Sequence, residues 1–199
     1  LAQYHHSRGQ KSKKIKRKFN DLLAASRWYQ EYIDTFPSDE KVGEMYFLKG
    51  EAVYEVGRFE EAILAYTQGG YETPKHDQSE DSAYAALVAY NRIIDSAKES
   101  EKAFWLEHKV DSALRYSMVY PDNRNTSQVL ARAAEGLFSL GQFQRAVDVS
   151  ASVLSRKDAN LKQRSVAHLI KAHSHFDLAQ YEQAEVAYVA ALSSKQLKK

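Results

Sequence analysis

Histidine and carboxylate side chains are the first places to look for chemistry in this chain. His168 and His175 are seven residues apart, which puts them on one helical face but about 10.5 Å apart along its axis, too far to share a metal ion. His173 projects from a different face of the same helix. His5 and His6 are adjacent in a stretch expected to be a loop at a flexible terminus, and two neighbouring imidazoles without further ligands do not make a metal site. Glu60 and Glu61 fall on the first turn of an expected helix, where carboxylates offset the positive end of the helix dipole, so acid–base work is not needed to explain them. The chain has no Gly-rich phosphate loop, no Gly-x-Ser-x-Gly elbow, no His-Glu-x-x-His helix and no cysteine. These absences point away from an enzyme, a cofactor, a metal and a small-molecule substrate.

The second candidate for chemistry is a run of positive charge. Arg8, Lys11, Lys13, Lys14, Lys16, Arg17 and Lys18 all precede the first acid, Asp21. Removing these seven from the 28 lysines and arginines leaves 21 basic against 26 acidic residues, so a net of −5 follows a basic leading edge. Such a segment could meet phosphates, anionic lipid or an acidic partner, or be a solvated helix face. Cations at a helix start oppose the dipole by about 0.3–1 kcal/mol each. Hence either the helix begins after Lys14 or negative groups lie close by.

These residues need elements to hold them, and composition favours helices. There are 3 prolines and 8 glycines, too few for a β chain with regular turns, and helix-forming residues abound. No apolar run, Ala85 to Tyr90 included, approaches the roughly 18 residues that cross a bilayer. Apolar periodicity predicts helices over 12–35, 42–56, 59–67, 80–97, 101–119, 126–140, 143–154, 161–178 and 181–193. The odd number of helices and the opening on Leu1 lead to the expectation that the chain begins inside a repeat of a larger protein.

Three stretches share one phrase: "YEVGRFEEAILAY", "FSLGQFQRAVDVS" and "FDLAQYEQAEVAY". Aligned on Phe59, Phe143 and Tyr181 they are 84 and 38 residues apart, while Pro37, Pro74 and Pro121 close amphipathic segments at steps of 37 and 47. The implied plan is a basic leader over 1–14, the second helix of a partial repeat over 15–37, and hairpin repeats over 38–74, 75–121, 122–158 and 159–199. Small residues at Gly50, Ala134 and Ala172, and at Ala62, Ala146 and Ala184, would let paired helices approach to about 8 Å. Phe59, Phe143 and Tyr181 would plug the gap after each turn.

This pattern resembles the tetratricopeptide repeat. The best copy places Tyr46, Gly50, Val53, Ala62, Tyr66 and Pro74 at the signature positions, with Gly57 in the turn and Lys49 where leucine is usual. The next has Leu130, Ala134, Leu137, Gly141 and Ala146, with Ser150 in place of an aromatic. The last has His168, Ala172, His175, Ala179, Ala184 and Tyr188. The resemblance implies an all-α, right-handed α-α superhelix of about four hairpins and roughly nine helices. A narrower likeness, over 1.5 repeats, is to bacterial envelope members of the family, which implies a periplasmic or cell-envelope setting.

The family fold also implies a concave groove lined by the first helix of each pair. Residues three places before and one or four places after the packing Gly or Ala would face it: Phe47, Glu51 and Tyr54; Ala131, Glu135 and Phe138; Leu169, His173 and Phe176, with Glu55 and Arg132 beside them. Aromatic and acidic residues there suit a peptide, and equally a groove filled by a neighbouring helix. Relatives that grip a C-terminal carboxylate use Lys, Arg and Asn on this face, where Arg132 is the main basic group, so that mode is not expected. The expected function is a protein-interaction scaffold that holds a peptide or helix of a protein partner. The alternative is binding of nucleic acid or an anionic surface through Arg8–Lys18.

Overall fold

A computed structural model describes residues 1–196, and the last three residues of the expected 159–199 repeat lie outside it. The described residues form ten α-helices and one π turn, with no strand among them. The chain divides into two compact units, Leu1–Ala97 and Lys98–Lys199.

The first unit contains α1 (Ala2–Lys11), α2 (Ile15–Thr35), α3 (Val42–Glu55), α4 (Phe59–Thr67), the π turn Gln68–Glu72 and α5 (Ser79–Ser96), each helix packed on the next. The second contains α6 (Glu99–Val119), α7 (Thr126–Ser139), α8 (Phe143–Ser155), α9 (Leu161–Asp177) and α10 (Tyr181–Gln196), again packed in succession, with α7 also against α9. The fold is all-α and made of tetratricopeptide-like helical hairpins.

The hairpins close where small residues were expected to let them. Ala62, Ala134, Ala146 and Ala172 are completely buried and Ala184 nearly so. A Cβ on Gly50 would stand 2.5 Å from the Tyr66 ring, so α3 and α4 meet there with no room for a side chain. In the corresponding place of the α7–α8 hairpin Ser150 replaces the aromatic, and it too is fully buried. Gly57 and Gly141 take φ of +84° and +70°, the left-handed geometry that ends a helix and reverses the chain. Each turn carries the same long bond: Arg58 N–H to Val53 O, and Gln142 N–H to Leu137 O, both 2.9 Å. The α9–α10 turn repeats it from Gln180 to His175 O at 2.8 Å, but its left-handed residue is Ala179, at φ 58°.

Two expectations need correction. The stretch around His5 and His6 is not a loop: it is α1, and His6 is buried against α2. The helix lacks large apolar residues, and its contact face is built from Ala2, His6 and Gly9, where a Cβ would come 2.8 Å from Leu22. Tyr181 does not plug its hairpin as Phe59 and Phe143 do. It is 63% exposed and meets Phe176 edge-on, whereas its two counterparts are half-buried.

Candidate functional site

The helices α7 and α9 place two stripes of side chains opposite each other. Along α7 run Gln128, Arg132, Glu135 and Phe138, and along α9 run Lys162, Val166, Leu169, His173 and Phe176, all at the three- and four-residue spacing of one helical face. At one end they border a cleft of about 360 Å³ lined by Gln128, Ala131, Arg132, Glu135, Lys162 and Gln163 among others. At the other end Phe138 and His173 approach with ring centroids 6.0 Å apart. The structure thus brings together Arg132, Glu135, Phe138 and His173 of the residues singled out in sequence, with Leu169 and Phe176 further along the same α9 stripe.

The electrostatics of this cleft depend on which cations are already engaged. Arg156 is bound to Ser127 Oγ at 2.8 Å and to Pro121 O at 2.7 Å, and Arg164 donates to Leu154 O at 2.8 Å and Ala159 O at 3.0 Å. Those two guanidinium groups tie the α8–α9 connection to the surrounding backbone. Arg132 and Lys162 make no ion pair among the described residues, and both are exposed. Asn160 and Gln163 bond to each other's backbone N–H groups at 3.0 and 2.8 Å, fixing the start of α9 and with it the position of Lys162. Lys162 escaped the sequence reading because it lies on the first turn of α9, before the packing residues used to find the face. Its seven- and eleven-residue offsets from Leu169 and His173 were the signal that could have found it.

The aromatic end of the site has a structural share. Tyr54 meets Phe59 at 5.3 Å, Phe138 meets Phe143 at 5.5 Å and Phe176 meets Tyr181 at 5.6 Å. In each pair an aromatic near the end of the first helix rests on the first residue after the hairpin turn, so these rings help to fix the turns. His173 Nδ1 is 2.7 Å from the Tyr188 hydroxyl, which orients its ring beside Phe138. Phe176 still exposes 56% of its surface.

The residues singled out on α3 are engaged within the first unit. Glu51 accepts a 2.5 Å bond from the Tyr66 hydroxyl, and Phe47 lies 6.1 Å from the same ring. Burial, followed by the charge of Glu51, pushes the Tyr66 hydroxyl far above its ordinary range, so it remains a donor. Glu55 accepts from Lys18 at 2.8 Å and from Gln10 at 3.1 Å. Burial works against its charge, yet these two donors hold its carboxyl below the usual range.

The basic segment divides in the same way. Arg8 binds Asp21 through two nitrogens, one of them Nε to Oδ2 at 2.8 Å, and Arg17 reaches Asp21 at 3.9 Å. The Arg8 bonds hold the Asp21 carboxyl below the usual carboxylate range. α2 begins at Ile15, after Lys14, and acids lie near Arg17 and Lys18, so both ways of easing the helix-start conflict are present. Its first turn still contains Lys16, Arg17 and no acid. Lys11, Lys13, Lys14 and Lys16 are exposed without an ion pair among the described residues.

His6 is the polar residue that sequence reasoning missed. Its Nδ1 is 3.1 Å from the Tyr29 hydroxyl, and burial lowers its pKa below 6.5 despite the opposing charges of Glu55 and Glu51. Burial and Glu44 push the Tyr29 hydroxyl up to about 12. In the second unit His175 Nδ1 is 2.6 Å from Gln180 Oε1, a bond across the hairpin turn, while His168 lies four residues before Ala172 on α9. Neither brings the other a shared ligand.

No protein-family model matches the chain, and no curated protein matches it in sequence. Solved structures do share its fold. MamA AMB-1 superimposes with a TM-score of 0.55 at 17% identity, over 98% of this chain and 92% of that one. MamA MSR-1 gives 0.53 at 16% identity, over 100% and 98%. BtubC (BKLC) from P. vanneervenii gives 0.51 at 13% identity, over 98% and 84%. At these identities the likeness is one of fold.

Proposed function

With a tetratricopeptide-like fold as the premise, we propose that the chain is a protein-interaction module and not an enzyme, binding an extended or helical segment of a partner protein between α7 and α9. The observation that carries this reading is the pair of cations, Arg132 and Lys162, left unpaired at the mouth of a preformed cleft whose far end is aromatic. A segment with an aspartate or glutamate at one end and an apolar residue a few positions along fits both ends. Because helices hold the lining before the ligand arrives, little ordering entropy is lost on binding.

The test is selection of peptides from a random library, followed by affinity measurement on the parent and on a variant with Arg132→Glu and Lys162→Glu. Enriched peptides should carry an acid and an apolar residue, and the double variant should bind them roughly tenfold or more weakly at an unchanged melting temperature. Equal binding by parent and variant would sink the reading.

A further inference from the structure

The α1–α2 turn combines unspent positive charge with exposed apolar surface. Arg8 and Lys18 are held by Asp21 and Glu55, and Arg17 leans on Asp21. These bonds draw three of the seven cations back onto the body of the unit and leave Lys11, Lys13, Lys14 and Lys16 pointing outward. Among those four, at the first residue of α2, Ile15 is 73% exposed, and Phe19, one helical turn further on, is 40% exposed. Ile15 and Phe19 together set exposed apolar surface among the four free lysines. The turn is also preformed: Ser12 N–H donates to Gly9 O at 3.1 Å, and Gly9 packs on Leu22 behind it.

We propose that this turn docks on the surface of an anionic bilayer, with Ile15 and Phe19 entering the headgroup layer and the four lysines lying among the lipid phosphates. Nucleic acid offers phosphates too, but it offers no apolar layer beside them to take Ile15 out of water. A bilayer interface supplies both within a Debye length. The lysine stems suit this arrangement, since their methylenes can lie along the apolar zone while the ammonium groups stay at the phosphates. No helix among the described residues is long and apolar enough to cross a membrane. The turn shares no residue with the α7–α9 cleft, and the two sites can be tested independently.

The experiment is co-sedimentation of the chain with vesicles of phosphatidylcholine alone and of phosphatidylcholine with about one-third phosphatidylglycerol. Partition onto the anionic vesicles should be at least about tenfold greater and should fall steeply as salt rises. Replacing Lys13, Lys14 and Lys16 by glutamate should remove roughly tenfold or more of that binding, and Ile15→Ser should remove about threefold at unchanged charge. All four residues are exposed, so both variants should keep the parent's helical circular dichroism and melting temperature. The salt titration needs no variant at all. Equal binding to neutral vesicles, insensitivity to salt, or an Ile15→Ser variant that binds like the parent overturns the proposal. So does a duplex oligonucleotide that competes the chain off anionic vesicles at matched phosphate concentration, which would assign the turn to nucleic acid.

Discussion

The helices α3 and α7 are both 14 residues long and hold the same place in their hairpins, yet their polar residues are used in opposite ways. On α3, Glu51 is bound by Tyr66 and Glu55 by Lys18 and Gln10, so the acids tie the helix to α4, α2 and α1. On α7, the Arg132 and Glu135 side chains line an open cleft opposite Lys162. One register of the repeat is therefore used for internal joinery in the first unit and left facing solvent in the second. The contrast separates residues that build the hairpins from residues free to meet a partner.

The sharpest way to break this contrast is at Gly50. A side chain there must displace the Tyr66 ring, which is fully buried and also holds Glu51. Gly50→Leu should cost about 3 kcal/mol, at the upper end of overpacking penalties, read as a lower denaturation midpoint. An unchanged midpoint would remove the basis for aligning α3 with α7. Next in size is Tyr66→Phe. It deletes the donor to Glu51 while keeping the ring, and should cost about 1.5 kcal/mol, the range for a hydrogen bond to a charged group. If Tyr66→Phe is neutral, Glu51 is no more tied than Glu135 and the two helices are alike.

A pH titration tests one imidazole in each unit, the buried His6 and the half-buried His168. His6 and His168 both have pKa values lowered from 6.5, His6 by burial against the pull of Glu55 and Glu51, His168 by burial together with Lys171 and Arg164. In each case the unfolded chain binds the proton more readily than the folded one. Their contribution to stability is thus present above about pH 6.5 and is lost as pH falls toward the folded pKa. Urea midpoints should fall with acidification below that pH, and His6→Asn and His168→Asn should each flatten part of the slope. A parent whose midpoint is level from pH 7 to about pH 5 contradicts both shifts.

The hairpins were legible because their signal is local and repeated: a small residue, a turn glycine and an aromatic at fixed offsets. The use of the polar residues was not legible, because it depends on contacts far apart in the chain. Lys18 and Glu55 are 37 residues apart, and nothing in either neighbourhood marks them as partners. Without that pair the seven cations read as one patch, whereas the folded chain divides them into tied and free. The helix α1 was missed for another reason. Its buried face consists of Ala2, His6 and Gly9, a stripe with helical spacing but almost no hydrophobic signal, and only contact with Leu22 and Tyr29 gives that spacing a meaning. In the second unit Arg132, Leu169 and His173 stand out in sequence because they are near the packing alanines, and of these Arg132 lines the cleft. Lys162, about two turns before Leu169, is too far from those alanines to be marked by them.

The smallest expected effect lies in the turns, where the two units can be compared at a single backbone angle. Gly57 in the first unit and Gly141 in the second reverse the chain at positive φ without strain, and a Cβ at either would meet nothing within 4 Å. Ala179 takes the same conformation at φ 58°, where its Cβ crowds the following carbonyl. Its turn keeps the bond from Gln180 N–H to His175 O, so the strain is held in place by an intact helix end. Ala179→Gly relieves that crowding but also frees the unfolded chain, and the two effects oppose each other. With the left-handed penalty the larger, the variant should gain about 0.5–1 kcal/mol, seen as a higher urea midpoint for the second unit. The reverse change, Gly141→Ala, should lose a similar amount. If neither substitution moves the midpoint, the third turn is not under the strain that its angle implies, and the α9–α10 hairpin closes by some means other than the one shared by α3–α4 and α7–α8.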